Sequence, residues 1–154
     1  NVVRSEFMET RLPLVTDAIE GFCGPLVGVL SGMLWLRENR PQIQWLATFP
    51  TDAPFLPRDL VTQLLGKANE KSVQLVCAQS DGRMHPPIGL WNTRLASDLR
   101  AAIESEGIRK IDLWTSRYDL EAVDWSVKPF DPFFNINHPE DLRAAEEIMR
   151  QISG

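Results

Sequence analysis

The sequence has few of the features that mark several large classes of protein. It contains only two cysteines, Cys23 and Cys77, and both lie in apolar runs, so neither a disulfide framework nor a zinc site is indicated. Its 16 Lys and Arg form no basic block, and the net charge of −5 argues against nucleic acid or an anionic membrane as the main partner. Because buried thiols of this kind are typical of a reducing compartment, we expect a cytoplasmic protein.

Long hydrophobic runs are also missing. The one membrane candidate, residues 22–36, has 15 residues without charge, whereas a bilayer span needs about 20. Gly24, Gly28 and Gly32 recur every four residues in this stretch, a spacing that also occurs in membrane helix dimers. We predict instead a helix that is packed closely on a sheet, with Pro25 in its first turn. Residues 1–6 lack the apolar segment of a signal peptide.

The sequence patterns of several enzyme classes do not occur. There is no HExxH, no paired-cysteine metal spacing, and no suggestion of a Ser/His/Asp or Cys/His constellation. The glycine spacing of residues 24–32 is not a phosphate-binding loop, because no Lys-Ser/Thr follows it. The two histidines, His85 and His138, are isolated. His85 could place an imidazole near a ligand, but a lone histidine is more often structural, and His138 is equally uninformative.

The 154 residues correspond to a single domain in which short apolar runs alternate with helical patterns. This alternation predicts an α/β layered fold with a mostly parallel central sheet. We expect strands at 14–16, 43–49, 73–78, 88–91, 122–125 and 133–136. We expect helices from 25 to about 38, over 60–68, from 95 to a stop at Gly107, and from Pro139 onward; 108–118 is ambiguous and leans to helix.

Asp52 is the first candidate site residue, since ligands of open α/β sheets bind beyond the carboxyl ends of the strands. It follows the most apolar predicted strand and lies between Pro50 and Pro54, which limit backbone freedom. A rigid carboxylate in this place can hold Mg²⁺, which prefers oxygen ligands and is usually shared with substrate phosphates. The alternative is an aspartate that only hydrogen-bonds its own turn.

Two further segments end predicted strands. Asp17 could accept a hydrogen bond from a ligand, or it could cap the glycine-containing helix. Asn135 and Asn137 alternate along a predicted strand, so their amides would share one face and could bind the edge of a heterocycle. For this second segment the alternative is that Asn137 or His138 only caps the last helix.

These segments, taken in order, resemble the molybdenum cofactor guanylyltransferase (MobA) family of nucleotidyltransferases. The resemblance rests on five stretches, which are residues 1–4 (NVVR), Asp17 with 24–28 (GPLVG), 50–57 (PTDAPFLP), 85–91 (HPPIGLW) and 133–142 (FFNINHPEDL). In the last of them, His138 stands where the family usually has Thr. The resemblance implies a three-layer Rossmann-like nucleotidyltransferase fold with a mostly parallel sheet.

The activity implied by the resemblance is transfer of GMP from GTP to molybdopterin-bound molybdenum cofactor, with release of pyrophosphate. By the same resemblance Asp52 is the catalytic carboxylate that holds Mg²⁺, and Asn1, Asp17 and Asp52 contact the guanine nucleotide. Asn135 and Asn137 would lie near the pterin. The implied partners are GTP, molybdenum cofactor, other proteins of cofactor biosynthesis and the acceptor molybdoenzymes, but neither nucleic acid nor membrane.

The family also opens with a glycine-rich LAGGxSxRMGxDK loop that cradles the nucleotide phosphates, and no such segment occurs in these 154 residues. We therefore expect residues 1–154 to form one MobA-like domain without its first strand and phosphate loop, incompletely packed and inactive alone. Two enzyme alternatives are a molybdenum cofactor cytidylyltransferase and a sugar-1-phosphate nucleotidyltransferase. An alternative of another class is a non-catalytic module that binds and hands over the cofactor.

Overall fold

The computed structural model describes residues 12–21 and 24–153, so Asn1 and Cys23 lie outside the described part of the chain. The chain divides into two compact units. Unit 1 comprises Asn1–Leu46 and Trp91–Arg117, and unit 2 comprises Ala47–Leu90 and Tyr118–Gly154.

Within residues 12–21 and 24–153 the sheet has four strands, β1 (Trp45–Thr48), β2 (Leu75–Ser80), β3 (Arg83–Asn92) and β4 (Leu120–Trp125), in the order β1-β3-β2-β4. Strands β2 and β4 are parallel, with Leu75 opposite Leu120 and Ser80 opposite Trp125. A two-residue turn joins β2 to β3, and both of its residues, Asp81 and Gly82, have positive φ (47° and 73°). Such a turn returns the chain antiparallel to the strand it leaves. The predicted α/β fold is thus confirmed, but with a mixed sheet in place of a mostly parallel one.

Three strand predictions need correction. Residues 14–16 form no strand, and their side chains are exposed, because β-prone residues need a neighbouring strand to pair with. Strand β1 is shorter than predicted and lies at the end of the sheet order, so Ile43 and Phe49 remain 40% and 45% exposed. Residues 133–136 form no strand either, for reasons given with the site below.

In unit 1, helix α1 (Pro25–Asn39) packs against helix α3 (Ala96–Glu104), and a short helix α4 (Ile111–Thr115) follows. The predicted buried helix with Pro25 at its start is confirmed. A Cβ on Gly32 would lie 3.0 Å from Cδ2 of Leu46, whereas a Cβ on Gly28 would meet nothing within 4 Å. Only one of these two glycines therefore serves close packing. Within residues 12–21 and 24–153, no helix has the length and apolar character needed to cross a membrane.

In unit 2, helix α2 (Leu60–Lys71) covers β2 and β4, and helix α5 (Pro139–Ser153) is the last helix, beginning at Pro139 as predicted. The buried residues of α2 are spaced four apart along one face, and all four residues 75–78 of β2 are buried as well. Cys77, a free cysteine, lies among them at 1% exposure. The loops that follow β1 and β4 carry the candidate site.

Candidate functional site

Asp52 lies in the loop that follows β1, and its backbone is held firmly. Its carbonyl oxygen accepts a hydrogen bond from the N–H of Ile136 at 2.9 Å. The neighbouring Ala53 is buried, and the ring of Phe55 meets the ring of Phe130 at a centroid distance of 5.4 Å. The loop is therefore anchored at Asp52 and directly after it.

One carboxylate oxygen of Asp52, Oδ1, is fully buried and has no hydrogen-bond partner in the described part of the chain. Burying an acceptor without a partner costs about 1–3 kcal/mol, and more when the group is charged. The interpretation that this aspartate only stabilises its own turn does not account for such an oxygen. An external cation or donor would satisfy it.

Residues 131–137 form an irregular loop because its first residue captures the backbone donors. Asp131 accepts the N–H of Phe133 on its side-chain Oδ1 at 2.9 Å, and its carbonyl oxygen accepts the N–H of Phe134 at 3.2 Å. Side-chain bonds of this kind compete with strand pairing. The predicted strand at 133–136 is wrong for this reason.

Asn135 and Asn137 therefore reach the candidate site on a loop. Both are exposed, and they flank the half-buried Ile136, whose N–H binds the carbonyl oxygen of Asp52. The structure thus brings the predicted metal carboxylate and the two predicted pterin residues together in unit 2, which the sequence pattern did not require.

The start of helix α5 is capped by Asp141. Its Oδ2 accepts the backbone N–H groups of Asn137 and His138, both at 2.9 Å. These two bonds hold the pKa of Asp141 below its ordinary value. The side chains of Asn137 and His138 do not supply this cap, so the capping interpretation of these two residues is replaced by one that names Asp141.

Sequence reasoning missed a cluster of Ser80, His85 and Asp131. The Oγ of Ser80 lies 2.8 Å from Nε2 of His85 and donates to Oδ2 of Asp131 at 3.2 Å. This is not a catalytic triad, because the hydroxyl lies between the other two groups and gives its proton to the carboxylate. The hairpin turn at Asp81-Gly82 was the one signal that Ser80 and His85 come close, since it folds their strands back on each other.

Asp17 belongs to unit 1, where it is half-buried and precedes an anchored residue. The N–H of Ala18 donates to Oγ of Ser31 at 2.8 Å, and this hydroxyl donates to the carbonyl oxygen of Val27. Helix α1 begins after Gly24 without a side-chain cap, so Asp17 does not cap it. Asp17 remains a candidate ligand-binding residue, and Asn1 lies outside the described residues.

The described residues hold no group of three or more His, Cys, Asp and Glu placed to bind a metal ion. Asp52 is therefore a single carboxylate, which suits a cation that completes its shell with water and substrate oxygens. An apolar groove of about 490 Å³ lies beside the same loops and is lined by Phe55, Ile136, Leu142 and Met149 among others. Its lining also includes Glu146 and Arg150, so the polar contacts that the groove can offer come from these two side chains.

Known proteins resemble this chain in sequence. Residues 1–118 match the family model described as the MobA-like NTP transferase domain. A molybdenum cofactor guanylyltransferase of Rhodopseudomonas palustris (strain BisB5) is 47% identical over 144 residues, which are 94% of this chain and 69% of the relative. One of Bradyrhizobium sp. (strain ORS 278) is 45% identical, with 94% and 68% covered. The chain thus spans about two thirds of the length of these relatives.

Solved structures share the fold. Molybdopterin-guanine dinucleotide biosynthesis protein A of Archaeoglobus fulgidus superimposes with a TM-score of 0.69 at 24% identity, covering 95% of this chain and 73% of its own. The 2-C-methyl-D-erythritol 4-phosphate cytidylyltransferase of Thermus thermophilus gives 0.55 at 19% identity, with 79% and 68% covered. At these identities the likeness concerns the fold alone.

Proposed function

The chain belongs to the MobA-like NTP transferase domain family, and from this premise we propose that it transfers GMP from GTP to molybdopterin-bound molybdenum cofactor. Pyrophosphate is the second product. The observation that carries the proposal is the buried, unpartnered Oδ1 of Asp52, in a loop that is hydrogen-bonded to the loop of Asn135 and Asn137. A group that needs a cation thus lies beside groups that can bind a heterocycle.

Asp52 would hold Mg²⁺. The fit rests on its orphaned oxygen, because Mg²⁺ takes oxygen ligands and is commonly bound by one or two carboxylates together with substrate phosphates. When bound, the ion would neutralise phosphate charge. The contribution of the chain itself is to keep this carboxylate fixed through the bond between the carbonyl oxygen of Asp52 and the N–H of Ile136.

The remaining residues have binding roles in this proposal. Asn1 and Asp17 would contact the guanine nucleotide, and Asn135 and Asn137 would contact the pterin, since amides offer both donors and acceptors to a heterocycle. A phosphate oxygen of the cofactor attacks the α-phosphorus of GTP, and the bond to pyrophosphate breaks. Such transfer depends on positioning and charge neutralisation rather than on covalent catalysis by the protein.

We propose that residues 1–154 form one such domain and need a glycine-rich phosphate-binding segment for turnover. The second candidate is a non-catalytic module that binds the cofactor and hands it over. Acceptor molybdoenzymes and other biosynthetic proteins remain proposed partners, and the cytoplasm remains the predicted location.

The test compares two proteins, the 154-residue chain and the same chain extended at its amino end with a segment that carries the LAGGxSxRMGxDK loop of the family. Each is incubated with molybdopterin-bound molybdenum cofactor, Mg²⁺ and either GTP or CTP. Pyrophosphate release and the mass of the dinucleotide product are measured. We expect the extended chain to use GTP and the shorter chain to be inactive.

Three results would change the proposal. Use of CTP by the extended chain would favour the cytidylyltransferase, and acceptance of a sugar 1-phosphate in place of the cofactor would favour the sugar-nucleotide enzyme. Tight cofactor binding by both folded proteins without any turnover would favour the handover module.

A further inference from the structure

The cluster of Ser80, His85 and Asp131 has no part in the proposed chemistry, yet hydrogen bonds join its three side chains. Ser80 is the last residue of β2 and is only 2% exposed. Its hydroxyl lies 2.8 Å from Nε2 of His85 and 3.2 Å from Oδ2 of Asp131. When its one proton is donated to Asp131, the bond with His85 is donated by Nε2 of the ring.

Asp131 connects the cluster to the loop 131–137 by hydrogen bonds. Its second carboxylate oxygen and its carbonyl oxygen accept the N–H groups of Phe133 and Phe134. One carboxylate oxygen of Asp131 thus binds the hydroxyl of Ser80, and the other binds the backbone of the loop.

The ring of Phe133 gives a second connection between the cluster and the loop. It is 3% exposed and lies 5.1 Å from the ring of His85 and 5.4 Å, edge to face, from that of Trp125. Aromatic pairs in such tilted arrangements contribute stabilisation beyond the burial of their area. His85 therefore contacts the loop directly as well as through Ser80.

The loop also contacts the backbone of Asp52, the candidate metal ligand. Three residues after Phe133, the N–H of Ile136 binds the carbonyl oxygen of Asp52, and Ile136 is flanked by Asn135 and Asn137. A continuous set of contacts thus leads from the β2–β3 hairpin through Asp131 and Phe133 to the loop of Asp52.

We propose that Ser80, His85 and Asp131 are positioning residues, which set the conformation of the loop 131–137 and thereby present Asn135 and Asn137 to the substrate beside Asp52. The nature of that substrate, a pterin, rests on the proposed function, whereas the control of the loop does not. Ser80 is no nucleophile here, since its hydroxyl is buried and donates to a carboxylate.

The first test measures the loop without any ligand. Amide hydrogen exchange of Phe133, Phe134 and Ile136 is followed in the full chain and in Ser80→Ala. Loss of the hydroxyl should accelerate these three amides by about tenfold, because one buried hydrogen bond that holds the loop closed is removed. Unchanged protection in a folded Ser80→Ala chain would overturn the proposal.

A matched control is Gln79→Ala. Gln79 is half-buried, precedes Ser80 on the same strand and makes an exposed hydrogen bond to Asp124 of β4 at 3.3 Å, and in the described residues this pair makes no hydrogen bond to Asp131. Its removal should leave the three amides as protected as before. Equal acceleration in both variants would mean that general loosening of β2 is responsible, and the proposal would fall.

The second test separates positioning from mere stability by substitution of His85. In His85→Gln the amide N–H can still reach Oγ of Ser80, whereas in His85→Leu no donor remains. We expect His85→Leu to weaken binding of molybdopterin by about tenfold with GTP affinity unchanged, and His85→Gln to restore a large part of the loss. Equal binding by both variants would overturn the role of the donor.

The two proposals fail in different ways. If the unaltered chain binds no molybdopterin while Ser80→Ala still accelerates the three amides, the proposed function is wrong and the positioning role stands. If the unaltered chain binds molybdopterin and neither exchange nor binding responds to Ser80→Ala, the positioning role is wrong.

Discussion

Units 1 and 2 differ in the hydrogen-bond partners of their buried polar groups. In unit 1 most buried hydroxyl and amide side chains bond nearby backbone, as when Ser31 bonds Val27 and Thr115 bonds Asp112. Thr93 instead donates its hydroxyl to the carbonyl oxygen of Ile43, 50 residues away. In unit 2 the buried groups bond across long sequence separations, as between Ser80 and Asp131, and one oxygen of Asp52 has no described partner at all.

The two units therefore differ in what their buried hydrogen bonds stabilise. A local bond only secures the helix it belongs to, whereas a bond between distant loops sets the geometry of a site. The unsatisfied oxygen of Asp52 lowers stability unless a ligand is bound, and sites that keep such groups commonly serve binding or catalysis. Unit 2 therefore carries the candidate metal and pterin residues, and unit 1 contributes Asp17 and a tightly packed aromatic pair.

The largest effect is expected in that aromatic pair. Trp114 is fully buried, stacks on Trp91 at 6.0 Å, and donates its indole N–H to Asp98. Trp114→Ala should lower the free energy of unfolding by about 3–5 kcal/mol, because a large cavity is created. Urea denaturation measures this. Leu113→Ala, at the exposed neighbouring position, should cost less than about 0.5 kcal/mol, and a similar loss in both would contradict the assignment.

Asp52→Asn tests unit 2. In contrast to Trp114→Ala, this substitution should cost little stability and cause a large loss of activity. In the extended chain, Mg²⁺-dependent GMP transfer should fall by at least about 100-fold, as for removal of a main electrostatic group. Asp59→Asn is the control, because Asp59 is exposed and bonds only Gln63 in the contacts described. Near-normal turnover by a folded Asp52→Asn enzyme would refute the metal role.

Asn137→Ala sharpens the comparison within unit 2. The backbone N–H that donates to Asp141 is retained in this variant, so the start of α5 should survive. Molybdopterin affinity should fall by about tenfold, the cost of about one good hydrogen bond, while GTP affinity stays within a few-fold. Isothermal titration with each ligand gives both values. Equal losses for the two ligands would mean that the loop has collapsed.

A smaller effect concerns the pH dependence of stability, to which His85 of unit 2 should contribute. Burial lowers the pKa of His85, an effect opposed by Asp131 and increased by Arg83. Between this lowered pKa and the ordinary value of about 6.5, the unfolded chain binds more protons than the folded one, so stability rises with pH through this window. Below about pH 6.5 the contribution of His85 is progressively lost as the pH falls.

His85→Gln removes this titration, so the dependence of the urea midpoint on pH should become flatter just below pH 6.5. Gln79→Ala, which changes no titratable group, should keep the slope of the unaltered protein. An identical slope in the His85→Gln protein would show that His85 does not contribute.

The smallest effects are expected at two glycines of α1. Gly28→Ala should stabilise the protein by up to about 1 kcal/mol, since the new Cβ meets nothing and a helical glycine is entropically unfavourable. Gly32→Ala should gain less, because its Cβ would press on Leu46. Thermal denaturation of the two variants decides this, and a larger gain at Gly32 would contradict the packing.

Much of the local structure could be predicted from the sequence. Pro139, with Glu140 and Asp141 behind it, indicated the start of α5, and the apolar runs indicated β2 and β4. The predictions failed where distant or side-chain bonds decide, since no strand of the described residues pairs with 14–16 and Asp131 accepts the N–H groups of the loop that follows it. Pattern reasoning finds periodicity, and these two segments are not governed by it.

The candidate site, like the fold, could be predicted from the sequence only in part. Asp52 stood out from the sequence by its place after an apolar run and between prolines, and Asn135 and Asn137 by their alternation. Their meeting was decided only by the tertiary structure, as was the cluster of Ser80 with Asp131, because a hydrogen bond between residues 51 positions apart leaves no periodic trace in the chain. Sequence determines which groups are available and how the nearby backbone folds. Only the folded chain determines which of them meet, because that depends on how strands and loops from distant segments pack together.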